Sequence, residues 1–259
     1  MLLTTIAVMT SCLNSSSDTA SYNDAAITSF TLGLQNFFND FKNECSIISD
    51  IFFGFIETTN ECQKCKFDFS IRNIANPICY NYQKFNSLIF PLEEVKNMKN
   101  NLINNINNNI VTLYDCFCYY QQSNLFTGEN QNYCNICKQL SDSLYTTKIY
   151  SAPNILIIIL NRGKNNIYNI KLDFNEVIDL TQFIVMKDMP LIIYSLYGVI
   201  THIGESGPNA HFVASCKSPI DSKWYRYNDS IVNHIKDIKK EIIDFGTPYI
   251  LFYQKNKIK

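Results

Sequence analysis

Four cysteines in two Cys-x-x-Cys pairs, Cys62-Gln-Lys-Cys65 and Cys134-Asn-Ile-Cys137, have types and spacing that could do chemistry. Each pair can turn two thiolates toward one ion, and two pairs complete a tetrahedral four-cysteine site for zinc. Residues 66–133 separate the pairs, so the turns must sit on two hairpins that the fold brings together. Hairpin tips of that size build little core, and a bound metal supplies the missing stability. Two unrelated pairs of buried or redox-active cysteines would have the same spacing. Cys116 and Cys118 form a Cys-x-Cys pair and read as small buried hydrophobes.

A second group could move protons. The run from Tyr194 leads into His202-Ile-Gly204; Ala210-His211-Phe212 follows, then Trp224-Tyr-Arg-Tyr-Asn228-Asp229. An imidazole can take the proton of a thiol while a side-chain acceptor holds the ring in place. His211 follows a Gly-Pro-Asn turn and opens a β-type run, a position from which a side chain can face a cleft. Val213 and Ser215 would share its face, with Phe212, Ala214 and Cys216 on the other. Taken alone, His211 also suits a structural histidine in a strand, and Asp229 a turn residue after an exposed strand.

These groups need a scaffold, and 259 residues with 46% hydrophobic and 17% charged side chains can build one large domain or two small ones. A net charge of −1 argues against nucleic acid or an anionic membrane as a partner reached by bulk electrostatics. Ten cysteines in a chain this long, four of them in Cys-x-x-Cys pairs, favour metal binding in a reducing compartment over a disulfide scaffold. The localisation expected is intracellular, cytoplasmic or nuclear. The apolar start Met1–Met9 has no preceding Lys or Arg and is too short to span a bilayer.

The elements change character along the chain. Residues 11–24 read as a polar loop. Ile27, Phe30, Leu34, Phe37, Phe38 and Phe41 have the spacing of one buried helix face, and a short helix is expected from about Ser46 to Phe52. Asn100 to Asn109 reads as a loop or an expanded insertion. From residue 154 onward β-type runs dominate: Ile155–Leu160, Tyr168–Phe174, Leu191–His202, His211–Lys217, Lys223–Tyr227 and Tyr249–Tyr253. They predict one mostly antiparallel sheet. Helix is expected mainly in the first 55 residues and after Ser230, where Ser230 to Asp244 reads as helical or mixed.

Several stretches, in this order, resemble the ubiquitin-specific protease family. Asp50-Ile-Phe-Phe-Gly54-Phe resembles the family's entry into its fingers, and Phe85–Leu92 its strand ending in Pro-Leu. Asn132–Cys137 resembles the second zinc pair, and Ala152–Arg162 the long palm strand. Phe174–Leu180 resembles Phe-Pro-x-x-Leu-Asp-Leu with Asn175 in place of proline. The likeness runs from about residue 45 to 253.

The resemblance implies an α+β, papain-like cysteine peptidase hand: a β palm, zinc-tipped fingers and a truncated helical thumb. It implies one catalytic domain over 1–259, with a remnant thumb at 1–55, fingers at 56–150 and palm at 151–259. Ubiquitin or its conjugates would be the partner, and Cys62, Cys65, Cys134 and Cys137 would hold a structural zinc. His211 would be the general base, and Asn228 the third triad position with Asp229 beside it. His202 and Gly204 would line the cleft. Ala210 stands where the family has glycine and would narrow the channel for the ubiquitin tail.

The nucleophile departs most from the family pattern, Gly-Asn-x-Cys-aromatic-x-Asn-Ser. Cys12 is the candidate in place, but Met9-Thr-Ser-Cys12-Leu-Asn14-Ser15 lacks the upstream Gly and Asn and the following aromatic. The family's Gln-Asp-x-x-Glu-Phe helix is also missing, and the span from Cys12 to Phe53 is short for a thumb. Two functions follow: a thiol-dependent deubiquitinase hydrolysing the bond after the ubiquitin C-terminus, or a catalytically inactive ubiquitin-binding relative.

Overall fold

A computed structural model describes residues 47–68, 70, 76–102, 109–162, 170–188, 190–203 and 211–256. Its elements, in chain order, begin with α1 (Ile47–Phe52), β1 (Gly54–Cys62), α2 (Gln63–Phe67), β2 (Ile78–Phe85), β3 (Ser87–Pro91) and α3 (Leu92–Leu102). Next come β4 (Ile110–Thr112), α4 (Leu113–Tyr120), β5 (Asn124–Phe126), β6 (Asn132–Cys134), β7 (Gln139–Ser141) and β8 (Ser143–Ser151). The chain continues through β9 (Ile155–Asn161), β10 (Lys171–Asp173), β11 (Val177–Asp179), β12 (Ile193–Ile203) and β13 (His211–Lys217). It closes with β14 (Trp224–Asn228), β15 (Ile231–Ile235), α5 (Ile238–Phe245) and β16 (Thr247–Lys255).

The run Ile155–Leu160 explains where the core sits. It is apolar at every position, and a strand sends alternate side chains to opposite faces. Leu156, Ile158 and Leu160 enter one hydrophobic cluster, and Ile155, Ile157 and Ile159 enter a second. β9 is therefore central, and the main sheet runs β15-β14-β13-β12-β16-β9-β3, with β11 also pairing to β12. All pairings in it are antiparallel except β3 with β9. The first cluster takes residues from α3, α4 and α5, and Phe52 of α1 joins the second. A separate sheet, β2-β1-β8-β5, carries the first cysteine pair at the end of β1; the β6–β7 hairpin carries the second.

Several expectations hold. The short helix before Phe53 is α1, and the β-type runs at 155, 191, 211, 223 and 249 are strands of one mostly antiparallel sheet. Residues 230–244 are mixed, giving β15 and then α5. Other expectations are corrected. Only Lys171–Asp173 of the run Tyr168–Phe174 is strand, and it pairs in parallel with β4 outside the main sheet. Helix is not confined to the two ends, since α3 and α4 lie between them. α3 runs through Asn100 and Asn101 to Leu102, so the asparagine-rich stretch starts inside a helix.

Packing outweighs the weak helix propensity of asparagine there. Leu92 and Val95 of α3 are fully buried, and Lys99 Nζ reaches Asp115 of α4 at 2.7 Å. Cys116 and Cys118 are helical, not strand. α4 begins with a capping box between Thr112 and Asp115 and buries Leu113, Cys116 and Phe117 at helical spacing. The expected helix from Ile27 to Phe41, the loop 11–24 and Cys12 lie outside the described residues.

Candidate active site and metal centre

The metal centre is built by two different turns. β1 ends at Cys62, whose Sγ accepts a hydrogen bond from the backbone N–H of Cys65 at 3.5 Å as the chain turns into α2. β6 ends at Cys134, and the turn to β7 carries Cys137 and then Lys138 in the left-handed region at φ 56°. The backbone N–H of Gln63 donates to the carbonyl of Asp142, tying the start of α2 to the chain between β7 and β8.

The sulfurs of Cys62 and Cys137 are 3.9 Å apart, those of Cys65 and Cys134 3.7 Å, and all four lie within 4.8 Å of one another. Four thiolates about 2.3 Å from one zinc, placed tetrahedrally, sit about 3.8 Å apart. The donor set therefore fits zinc in type, number and spacing. Without metal the four thiols share their protons unevenly: a hydrogen bond from the Ser141 hydroxyl pushes Cys137 down to about 6, while burial pushes Cys65 up. One thiolate is thus already favoured, which is the form that binds metal.

The second site sits at one end of β13. Ala214 pairs with Tyr227, so His211 and Asn228 share a face as diagonal neighbours across β13 and β14. Nε2 of His211 lies 2.7 Å from Oδ1 of Asn228. An amide oxygen only accepts, so Nε2–H donates, and the neutral ring then keeps its free lone pair on Nδ1. β14 and β15 are joined by the two-residue turn Asp229-Ser230, with Asp229 in the left-handed region at φ 50°. Asparagine, aspartate and glycine tolerate such a conformation best. Asp229 is thus a turn residue, and its Oδ2 also comes within 3.8 Å of His211 Nε2. The His211 side chain is one-third exposed and Asp229 three-quarters exposed, so this longer contact contributes little.

His202 stands apart from this group. It pairs with Phe212, on the face away from His211, and its ring packs on Phe212 and Tyr249. It is 2% exposed, and burial pushes its imidazole down to about 4. Its side chain packs into the sheet's face against Phe212 and Tyr249. Gly204 and Cys12 lie outside the described residues. Cys216, on the same strand as His211, faces the second cluster, and burial pushes its thiol up to about 12.

The sequence reading did not single out Arg162 as a site residue. It is 1% exposed and donates to the carbonyls of Ile170 and Pro248, tying the ends of β9 and β16 to the chain entering β10. A charged residue ending an otherwise apolar strand was its signal.

The family model described as ubiquitin carboxyl-terminal hydrolase matches residues 4–253, and the chain belongs to that family. Among curated relatives, ubiquitin carboxyl-terminal hydrolase 12 of Saccharomyces cerevisiae is 29% identical over 181 residues, covering 67% of this chain and 14% of its own length. Ubiquitin carboxyl-terminal hydrolase 17-like protein B of Mus musculus is 25% identical over 222 residues, covering 84% of this chain and 41% of its own. The chain thus spans less than half of either relative. A solved structure of the SAGA Ubp8/Sgf11/Sus1/Sgf73 DUB module bound to ubiquitin aldehyde superimposes with a TM-score of 0.65 at 18% identity, over 90% of this chain and 50% of that one. The fold is the α+β hand of ubiquitin-specific proteases. No helix among the described residues is long and apolar enough to cross a membrane.

Proposed function

We propose that this chain is a thiol-dependent hydrolase of the bond that follows the ubiquitin C-terminus. The observation that carries the reading is the 2.7 Å contact of His211 Nε2 with Asn228 Oδ1. It fixes the tautomer in which Nδ1 can take a proton. In the proposed reaction Nδ1 of His211 takes the thiol proton of Cys12, and the sulfur attacks the carbonyl carbon at the ubiquitin C-terminus. The imidazolium returns the proton to the leaving amine, giving a thioester that water hydrolyses with His211 again as base. Asn228 holds the ring, although its neutral amide stabilises the imidazolium less than a carboxylate would. Asp229 adds a weak electrostatic contribution. Cys62, Cys65, Cys134 and Cys137 hold a structural zinc that joins the two turns. His202 backs the strand that leads to Gly204 and the cleft.

Residues 1–55 serve as the thumb, 56–150 as fingers and 151–259 as palm. The family match beginning at residue 4 takes in Cys12 and supports its part. A second reading, a catalytically inactive ubiquitin-binding relative, is favoured by the residues flanking Cys12, where the upstream Gly and Asn and the following aromatic are missing.

Labelling with a ubiquitin probe bearing a C-terminal thiol-reactive group separates the two. Stoichiometric labelling that is lost in Cys12→Ala supports the hydrolase. Ubiquitin binding without labelling supports the second reading, and neither binding nor labelling overturns both.

A further inference from the structure

Away from His211, α4 and the segment from β10 to β11 enclose a groove of about 310 Å³. That is at the lower end of the range for specific ligand sites, about 300–1,000 Å³. Its floor is aromatic: Phe117 and Phe183 stack with ring centroids 5.2 Å apart, and Tyr114 meets Phe183 edge-on at 5.5 Å. Tyr114 and Val177 stay more than half exposed on its wall.

The charge on the rim has one sign. Asp173 and Asp179 line the groove, and among the described residues no Lys, Arg or His does. Lys239 meets Asp173 at 2.8 Å, but both side chains are exposed, so the pair is readily exchanged. Asp179 takes hydrogen bonds from the Thr181 backbone and hydroxyl, which hold its carboxyl below the usual range and keep it ionised. β11, which forms one wall, has β12 as its one strand partner among the described residues.

We propose that this groove docks an extended peptide segment of a partner, one aromatic side chain entering the pocket and a basic residue on either side meeting the acidic rim. An apolar floor gives affinity to the anchor, and an acidic rim selects cationic flanks. A neutral apolar peptide would leave the rim unpaired, and an acidic one would be repelled.

The test is a methyl NMR titration of the full chain, following the side chains of Leu113, Val177, Ile178 and Leu180. The probes are the N-acetyl, C-amide tripeptides Lys-Phe-Lys, Lys-Ala-Lys and Glu-Phe-Glu. Saturable shifts confined to these methyls are expected with Lys-Phe-Lys, weaker ones with Lys-Ala-Lys and none with Glu-Phe-Glu. Asp179→Asn should weaken Lys-Phe-Lys binding about threefold, as an exposed ion pair allows. Because Asp179 also organises the turn at Thr181, Val177→Arg is the second variant: it puts a cation on an exposed wall position and should abolish binding. Absence of saturable shifts overturns the proposal, whether the groove is empty or filled by the chain's own residues. So does equal binding of Glu-Phe-Glu, or unchanged binding in Val177→Arg.

Discussion

His211 Nε2 lies 2.7 Å from Asn228 Oδ1 across two strands, the geometry in which Nε2–H donates and a neutral ring keeps its lone pair on Nδ1. The tautomer is thus fixed by the strand register that places Asn228 beside the ring. Nitrogen-15 NMR of the imidazole should show the Nε2–H form dominating the neutral ring. Asn228→Ala should turn this into a mixture, and any hydrolysis of ubiquitin conjugates should fall by at least about tenfold. Asn228→Asp should keep both. An unchanged tautomer ratio in Asn228→Ala would mean that something else holds the ring.

Purified chain should carry one zinc per molecule by elemental analysis, and Cys65→Ser or Cys134→Ser should lose it. Removing the metal with a strong chelator should speed amide exchange at the two turns and in β6 and β7 by at least about tenfold, equivalent to about 1.4 kcal/mol of local stability. Exchange in β9 and β16 should change little, since their protection comes from the two hydrophobic clusters. Uniform loss of protection would show that the metal holds the whole fold and not only the turns.

His202 gives a pH dependence with a defined sign. Its folded-state value of about 4 lies below the ordinary 6.5, because burial disfavours the charged ring. Between those values the unfolded chain binds the proton and the folded chain does not, so stability falls as pH drops from 6.5 toward 4. The full shift corresponds to about 3 kcal/mol. Urea unfolding at about pH 7 and about pH 4.5 should show most of this loss, and His202→Gln should remove most of the pH dependence. The same loss in the variant would assign it to carboxylates instead.

Gly246 lies where β16 passes the end of β12, and a Cβ there would sit 2.4 Å from the carbonyl oxygen of His202 and 2.8 Å from Thr201 Cγ2. The oxygen belongs to backbone paired on both sides, in β13 and β16, and cannot move aside cheaply. Gly246→Ala should destabilise the protein by about 1–3 kcal/mol, read from chemical denaturation. Gly128→Ala meets no crowding, and its cost comes only from φ +60°. If the two variants cost the same, close approach is not what glycine supplies at 246.

Patterns set by local spacing were legible in the amino-acid sequence. The Cys-x-x-Cys pairs, the all-apolar β9 run, the β-type runs around His211 and the Asn228-Asp229 pair each bring their chemistry or period with them. Each Cys-x-x-Cys pair closes its own tight turn, so spacing nominated all four thiols, while the fold brings their sulfurs within 4.8 Å of one another. Helix α3 was not legible. Its asparagines read as loop, and it is held by the burial of Leu92 and Val95 and by Lys99 meeting Asp115, contacts that exist only once the chain has folded.

The two histidines separate the levels best. His202 and His211 look equally able to serve a cleft, yet the pairing of His202 with Phe212 puts them on opposite faces of one sheet. A one-residue change of register would exchange those faces, so only tertiary pairing decides which imidazole is buried and which stays partly exposed beside Asn228. Residue type and spacing therefore determined which groups this protein could use. The register of β12, β13 and β14, fixed by apolar residues that must face the core, decided which of them it can bring together.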